Sequence, residues 1–192
     1  GFTQRGDAVC GVSTAEGDFE ADLVLLATGT GTQDLLATLD IALPMLHRPA
    51  LVLKTRPVKA RLSHVLATDF GEVRQLPCGA LLTPAAIGHQ GDASETIGAH
   101  PLDAAETSLS RLRSLFPQLP IELAQMQLAH RPIPQDGFPA VGPVADGLYA
   151  ATLHSGITLA ALMGELIAQD MLGEPKKASD TWLASFRPTR FA

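Results

Sequence analysis

Cysteine is scarce. Cys10 and Cys78 are the only two in 192 residues, and their spacing fits no zinc pattern. Two free thiols in a reducing compartment is the plain reading. No apolar run approaches the ~20 residues of a membrane span, so no integral membrane segment is expected. The opening residues "GFTQRGDAV" are polar and lack the apolar stretch of a signal peptide. The chain does not open on methionine, which predicts a fragment, a processed chain or a trimmed piece. A cytoplasmic location follows as the expectation. Basic clusters are also missing. The net charge is −6 and Lys176-Lys177 is the densest basic stretch, which argues against a nucleic-acid partner. The six histidines show no metal spacing. Ser155 lies in "HSG" rather than in a nucleophile elbow, so a hydrolase has no support. The carboxylates are scattered, and no catalytic acid pair or other catalytic residue can be named.

What is present is an order of patterns. Val9 to Val12 and Gly17 to Ala21 read as strands joined by the turn "STAEGD". "ADLVLLATG" reads as a buried, central, parallel strand ending in glycine. "TQDLLATLD" reads as a short helix. From His47 onward, "PALVLKTRPV", "HVLATDF", "EVRQLPCG" and "ALLTPAAIG" predict an antiparallel sheet, and residues 88–99 an exposed loop. "PLDAAETSLSRLRSLFP" predicts an amphipathic helix with Ala105, Leu109, Leu112 and Leu115-Phe116 near one face. Pro101 suits its start and Pro117 its end. "IELAQMQLAHRPI" reads as a strand and "PQDGFPAVGPV" as a turn-rich connector. An apolar strand at Leu148–Thr152 then leads through His154-Ser155-Gly156 into a long apolar helix, within which Gly164 suggests a close approach to a neighbouring backbone. The tail from Ser179 reads as irregular. The sum is an α/β fold with an α+β insertion. Domain boundaries are expected at 1–45 with 136–192, and at 46–135.

Three features invite a chemical reading. "LLATGTGTQD" follows a strand and carries Gly29 and Gly31, but a dinucleotide fingerprint needs a third glycine where Asp34 stands. A strand-end contact at Ala27, Thr28 and Gly29 is the better reading, with a tight turn as its alternative. The N–H groups of Gly156, Ile157, Thr158 and Leu159 would open a helix N-terminus, which favours an anion. Ser155 as the cap of a core helix is the alternative. Arg131 ends a strand and carries a fork suited to a carboxylate; a structural ion pair is the alternative.

Taken in order, these stretches resemble the C-terminal half of the D-amino-acid oxidase-like family of FAD-dependent oxidoreductases, which includes glycine oxidase, sarcosine oxidase and amino-acid dehydrogenases. "RGDAVCGVSTAEGDFEADLVLLATGTGT" is similar to the family's hairpin and the strand after it. "LPMLHRPALVLKTRPV" resembles its passage into the substrate domain. "LRSLFPQLP" and "RPIPQDGFPAVGPV" resemble the approach to its catalytic face. "GLYAATLHSGITLAALMGELIAQDMLG" is similar to its last flavin-contacting strand and helix, and "ASFRPTRF" to its closing segment. The resemblance implies a remnant of an FAD-binding Rossmann-like domain plus an antiparallel substrate domain. It implies FAD as cofactor, with His154, Ser155, Gly156, Ile157, Thr158 and Leu159 facing the flavin and Ala27, Thr28 and Gly29 near its phosphates or ribose. It implies Arg131 on an amino-acid carboxylate, and oxidation of an amine to an imine by hydride transfer. A dehydrogenase of this kind would sit at the periphery of the inner membrane.

The departures are specific. The unit carrying GxGxxG is missing, so a lost N-terminal half or a partner chain is expected to supply the FAD pyrophosphate loop. His47-Arg48-Pro49-Ala50 stands where the family has Arg-Gly-Gln, and Leu128-Ala129-His130 where several members have Trp-x-Gly. Two rivals stay open: a non-catalytic remnant that binds a small acidic ligand or a protein, and an NAD-binding module built on Gly29 and Gly31.

Overall fold

The computed structural model describes residues 1–85, 100–173 and 182–192. The loop expected at 88–99 and the stretch around Lys176-Lys177 lie outside the described residues. Apolar alternation near the N-terminus builds β1 (Phe2–Arg5), β2 (Ala8–Thr14) and β3 (Gly17–Glu20), an antiparallel sheet in that order. Thr14 closes the β2–β3 turn: its Oγ1 donates to the Gly17 carbonyl at 2.9 Å and accepts the Glu16 N–H at 3.1 Å. β4 (Val24–Leu26), a 3-10 turn at Gly29–Gly31, α1 (Thr32–Ala37) and β5 (Met45–Leu46) follow.

β6 (Pro49–Pro57), β7 (Leu66–Thr68), β8 (Gly71–Gln75) and β9 (Ala80–Pro84) come next, then α2 (Pro101–Leu115) and β10 (Leu123–His130). The five strands form an antiparallel sheet in the order β10-β6-β9-β8-β7. Period-two alternation gives it one core face: Leu53, Val73 and Leu81 pack with Ala105, Leu109 and Leu112 of α2. Pro101 occupies the first turn of α2, where a missing N–H costs nothing. Leu115, expected on the apolar face, is exposed; the helix ends there, and Phe116 packs on the core instead.

β11 (Ile133–Pro134) returns the chain to β5 as its antiparallel partner. The hairpin β12 (Ala140–Ala145) and β13 (Leu148–Thr152) leads to α3 (Ala160–Met171). Residues 1–46 and 132–192 thus make one compact unit, and His47–Arg131 a second inserted within it. The division falls after Leu46 and Arg131, not after 45 and 135, because the β5–β11 pair draws Pro132 to Gln135 into the first unit.

Three further expectations change. "AVGPV" is a strand, not connector; Pro143 is tolerated because β12 lies at the edge of the order β12-β13-β4. The strand of "ADLVLLATG" is parallel to β13 but is an edge of that sheet, only three residues long, with Leu25 41% exposed. Gly164 has no heavy atom within 4 Å of where a Cβ would stand, so among the described residues it marks open space. Both cysteines are free. No helix among the described residues is long and apolar enough to cross a membrane.

β13 is buried at all five positions. Leu148 and Ala150 face a core with Val9, Leu26, Leu36 and Leu43. Tyr149 and Ala151 face another with Met163, Leu166, Ile167 and Leu183. The tail, expected to be irregular, forms two 3-10 turns, Ala184–Phe186 and Pro188–Phe191, held by two arginine forks. Arg187 donates to Asp170 at 2.6 and 2.7 Å, and the Tyr149 hydroxyl donates to the same carboxylate at 2.6 Å. Burial, then the hydrogen bond to Asp170, pushes the Tyr149 phenol well above its ordinary range. The hydrogen bonds it donates to Asp170 likewise raise the Arg187 guanidinium. Arg190 grips Asp136 through Nε at 2.6 Å and Nη2 at 3.0 Å.

Two outcomes follow from this packing. Gly147, in the β12–β13 turn, has φ +73°, and a Cβ there would stand 1.9 Å from the Val9 carbonyl oxygen. Gly147→Ala should therefore destabilise the protein by roughly 3 kcal/mol or more, read from urea unfolding. Arg190's hydrogen bond holds the Asp136 carboxyl below its ordinary 3.8. A depressed carboxyl stabilises the fold above its unfolded value, and that contribution is lost as pH falls through the folded value. Thermal unfolding below about pH 4 should thus be less steeply acid-dependent in Asp136→Asn than in the unsubstituted protein.

Candidate functional site

The first unit brings the sequence-named glycine turns to one end of one sheet. β4 runs parallel to β13 with Leu26 opposite Ala150, and β12 pairs antiparallel with Ala140 opposite Thr152. Continuing past Leu26 gives Ala27, Thr28 and Gly29. Continuing past Thr152 gives the turn at His154 to Leu159. Entering β12 gives residues 135–139. All three segments therefore gather where the parallel strands β4 and β13 end, the side of an open α/β sheet at which ligands are bound.

Ala27 and Thr28 are exposed there. Gly29 has φ +59°, and the nearest atom to a Cβ built on it is Pro132 Cβ at 3.8 Å. The left-handed backbone, rather than crowding, is what calls for glycine at this position. Gly31 N–H donates to the Thr28 carbonyl at 3.1 Å, and the Thr28 and Thr32 hydroxyls lie 3.1 Å apart. This is a local turn, with Asp34 in the first turn of α1, and it has none of the geometry of a pyrophosphate loop.

The turn after β13 departs from the sequence expectation. The helix begins at Ala160, and Leu159 is its cap with no side-chain bond. Ser155 is not a cap; its hydroxyl lies 3.4 Å from His154 Nδ1. Leu159 N–H is already used, donating to the Ser155 carbonyl at 2.9 Å. The reason is local: the Ser155 carbonyl closes a turn of its own ahead of the helix. Gly156, Ile157 and Thr158 remain exposed, and their N–H groups donate no backbone hydrogen bond of good geometry among the described residues. Ile157 is 93% exposed. At the end of β13, the Thr152 hydroxyl is buried with no hydrogen-bond partner among the described residues, as are the Thr83 and Ser108 hydroxyls of the second unit.

Residues 135–139 lie in "RPIPQDGFPAVGPV", the stretch that resembles the approach to the family's catalytic face, but sequence reasoning assigns none of them an individual role. Gln135 N–H donates to the Pro44 carbonyl at 2.9 Å, Gly137 N–H to Pro134 at 2.8 Å, and Phe138 N–H to Asp136 Oδ1 at 3.1 Å. Phe138 is 60% exposed and tilts against Phe186 at 6.5 Å between ring centroids. The "PQDG" turn signal was visible; its arginine partner 54 residues away was not.

Arg131 belongs to the second unit. It follows β10, and its N–H donates to the Arg48 carbonyl at 3.0 Å, extending the β10–β6 pairing by one step. The register puts Gln127 opposite Val52 and Ala129 opposite Ala50. By alternation these four residues lie on the sheet face away from α2, where none of them is buried. Arg48 and Arg131 continue the same row. The floor beside the arginines is thus made of small alanines. His47 and His130, one residue out of step with that row, have ring centroids 5.0 Å apart. Among the described residues, no group of three or more His, Cys, Asp or Glu is placed to hold a metal ion.

These features suit a flat ligand edge with negative character in the first unit and a carboxylate in the second. Comparison with known proteins shows the family. The chain is 35% identical to glycine oxidase from Pseudomonas aeruginosa over 187 residues, covering 90% of this chain and 48% of that protein. It is 28% identical to D-amino-acid oxidase from Bradyrhizobium diazoefficiens over 201 residues, covering 100% of this chain and 46% of that protein. The fold matches the solved L-amino acid deaminase from Proteus vulgaris with a TM-score of 0.73 at 19% identity, over 100% of this chain and 48% of that one. The chain thus spans about half the length of the curated relatives it matches. A family model described as "DAO: FAD dependent oxidoreductase" matches residues 1–170, and the chain belongs to that family.

Proposed function

We propose that the chain is part of an FAD-dependent oxidoreductase that oxidises the CH–NH group of an amino acid or a related amine to an imine. The single observation that carries this reading is the gathering of Ala27–Gly29, the 154–159 turn and the unpartnered Thr152 hydroxyl at one sheet end. The first unit is the FAD-binding part, a Rossmann-like remnant, and the second is the substrate-binding part. The residues present fit the ring end of FAD. Gly156 carries no side chain to hold a flat ring away, and the open N–H groups of Gly156, Ile157 and Thr158 suit the edge that gains negative charge on reduction. They do not supply a pyrophosphate cradle. The missing half of the protein, or a partner chain, provides that.

The chemistry that bound FAD would supply is acceptance of a hydride from the carbon bearing the amine, leaving an imine that water would hydrolyse. The chain's own residues bind and orient. Arg131 pairs with the substrate carboxylate through its fork, and the paired alanines beside it leave room for the rest of the amino acid. Such chemistry depends on alignment more than on a general base, which accords with the scattered carboxylates.

A visible absorption spectrum of the polypeptide from the longest reading frame containing this chain tests the reading. Flavin bands that bleach anaerobically with an amino acid are expected. A colourless protein that takes up no added FAD contradicts it and favours the binding-module alternative. Arg131→Met should raise KM for an amino acid by about 30-fold or more, corresponding to ~2 kcal/mol, and leave an amine without a carboxylate unaffected. An unchanged KM removes Arg131 from the site.

A further inference from the structure

Residues 135–139 form the third segment at the sheet end, and one side chain from the other end of the sequence holds them. Arg190 Nε and Nη2 donate to the two Asp136 oxygens at 2.6 and 3.0 Å, and Nη2 also donates to the Phe138 carbonyl at 3.2 Å. Nη1 donates to the Phe186 and Arg187 carbonyls at 2.9 and 3.1 Å. The guanidinium lies over the Phe191 ring, 4.4 Å from its centroid. Every nitrogen of the fork is thereby engaged, and the partners come from the 136–138 turn and from the tail.

The Asp136 carboxylate is a junction in turn. Its Oδ1 accepts the Phe138 N–H at 3.1 Å, so one group closes the turn and receives the fork. Gly137 has φ +82°, a backbone that favours glycine and makes the turn sharp. The next ordered step is Ala140, opposite Thr152 at the base of the 154–159 turn. A shift of the 136–138 turn is therefore passed to the strand pair that ends at the flavin-facing segment. A surface ion pair has no such arrangement. Arg56 and Glu122, 3.1 Å apart with side chains 70% and 65% exposed, touch one another at the surface of the second unit.

We infer that Asp136 and Arg190 are a positioning pair that holds residues 135–139 as a rim of the FAD site. The inference rests on the placement of the flavin proposed above. The pair does not touch the reacting atoms. It fixes the backbone from Gln135 to Ala140, presents the exposed Phe138 ring at the sheet end, and ties this rim to the C-terminal tail. A fork is required rather than a charge, because five acceptor oxygens of defined direction, on Asp136, Phe138, Phe186 and Arg187, are satisfied by one planar group.

The test uses the FAD-loaded full-length protein, with FAD affinity and flavin midpoint potential as readouts alongside melting temperature. Arg190→Lys keeps the cation and loses the fork; Asp136→Asn keeps the acceptor for Phe138 N–H and loses the charge. Both leave the Gly137 backbone bond in place, so both fold. Each should weaken FAD binding about tenfold, the scale of one charge-assisted hydrogen bond, and move the potential. Arg56→Gln should change neither. Variants with lower melting temperatures but unchanged FAD affinity and potential would reduce the pair to a structural clamp and overturn this inference alone. Failure of the unsubstituted protein to take up FAD would overturn the proposed function with it.

Discussion

The arrangement depends on one short strand. Leu148–Thr152 is buried at every position, pairs with β12 on one side and with β4 on the other, and feeds two separate apolar cores by alternation. Nothing larger than glycine fits at its start, where Gly147 meets the Val9 backbone. With its register locked at that end, the other end has only one place to deliver its turn. The glycine turn after β4, the rim before β12 and the turn after β13 meet because this strand is held on both edges and both faces. The Tyr149–Asp170–Arg187 cluster adds a polar lock from α3 and the tail to the same strand.

Much of this was legible from residue patterns. Alternation and Pro or Gly punctuation located β6, β8, β9 and β13, and the Pro101 and Pro117 signals bounded α2 closely. These elements are set by local patterning that packing reinforces. The misreadings have a common cause. "AVGPV" looked like connector because Gly142 and Pro143 are poor strand residues; pairing with buried β13 overrides that preference. Ser155 looked like a cap because serine before an apolar helix often is one; here its carbonyl closes an extra turn. The Asp136–Arg190 fork joins residues 54 apart, and no spacing rule reports such a pair. The apolar content of "ADLVLLATG" predicts a central strand, and those side chains instead leave Leu23 and Leu25 partly exposed at a sheet edge.

Family membership and geometry contribute different things. The family match over residues 1–170 supplies the class of chemistry. The geometry gives a first unit with Gly156, Ile157 and Thr158 exposed at a sheet end, and a second whose sheet face away from α2 ends in Arg48 and Arg131. Among the described residues, neither unit carries a glycine-rich phosphate loop. The chain covers about half of its relatives' length, and the two-part FAD site, with its ring end in this chain, is our proposal.

Amide hydrogen exchange on the full-length protein, with and without FAD, tests the central claim most directly. The account predicts that FAD slows exchange at Gly156, Ile157 and Thr158 and around Thr28 and Gly29, and leaves the β7–β8 hairpin unchanged. FAD binding that leaves those amides as fast as in the free protein would place the flavin elsewhere and contradict the account.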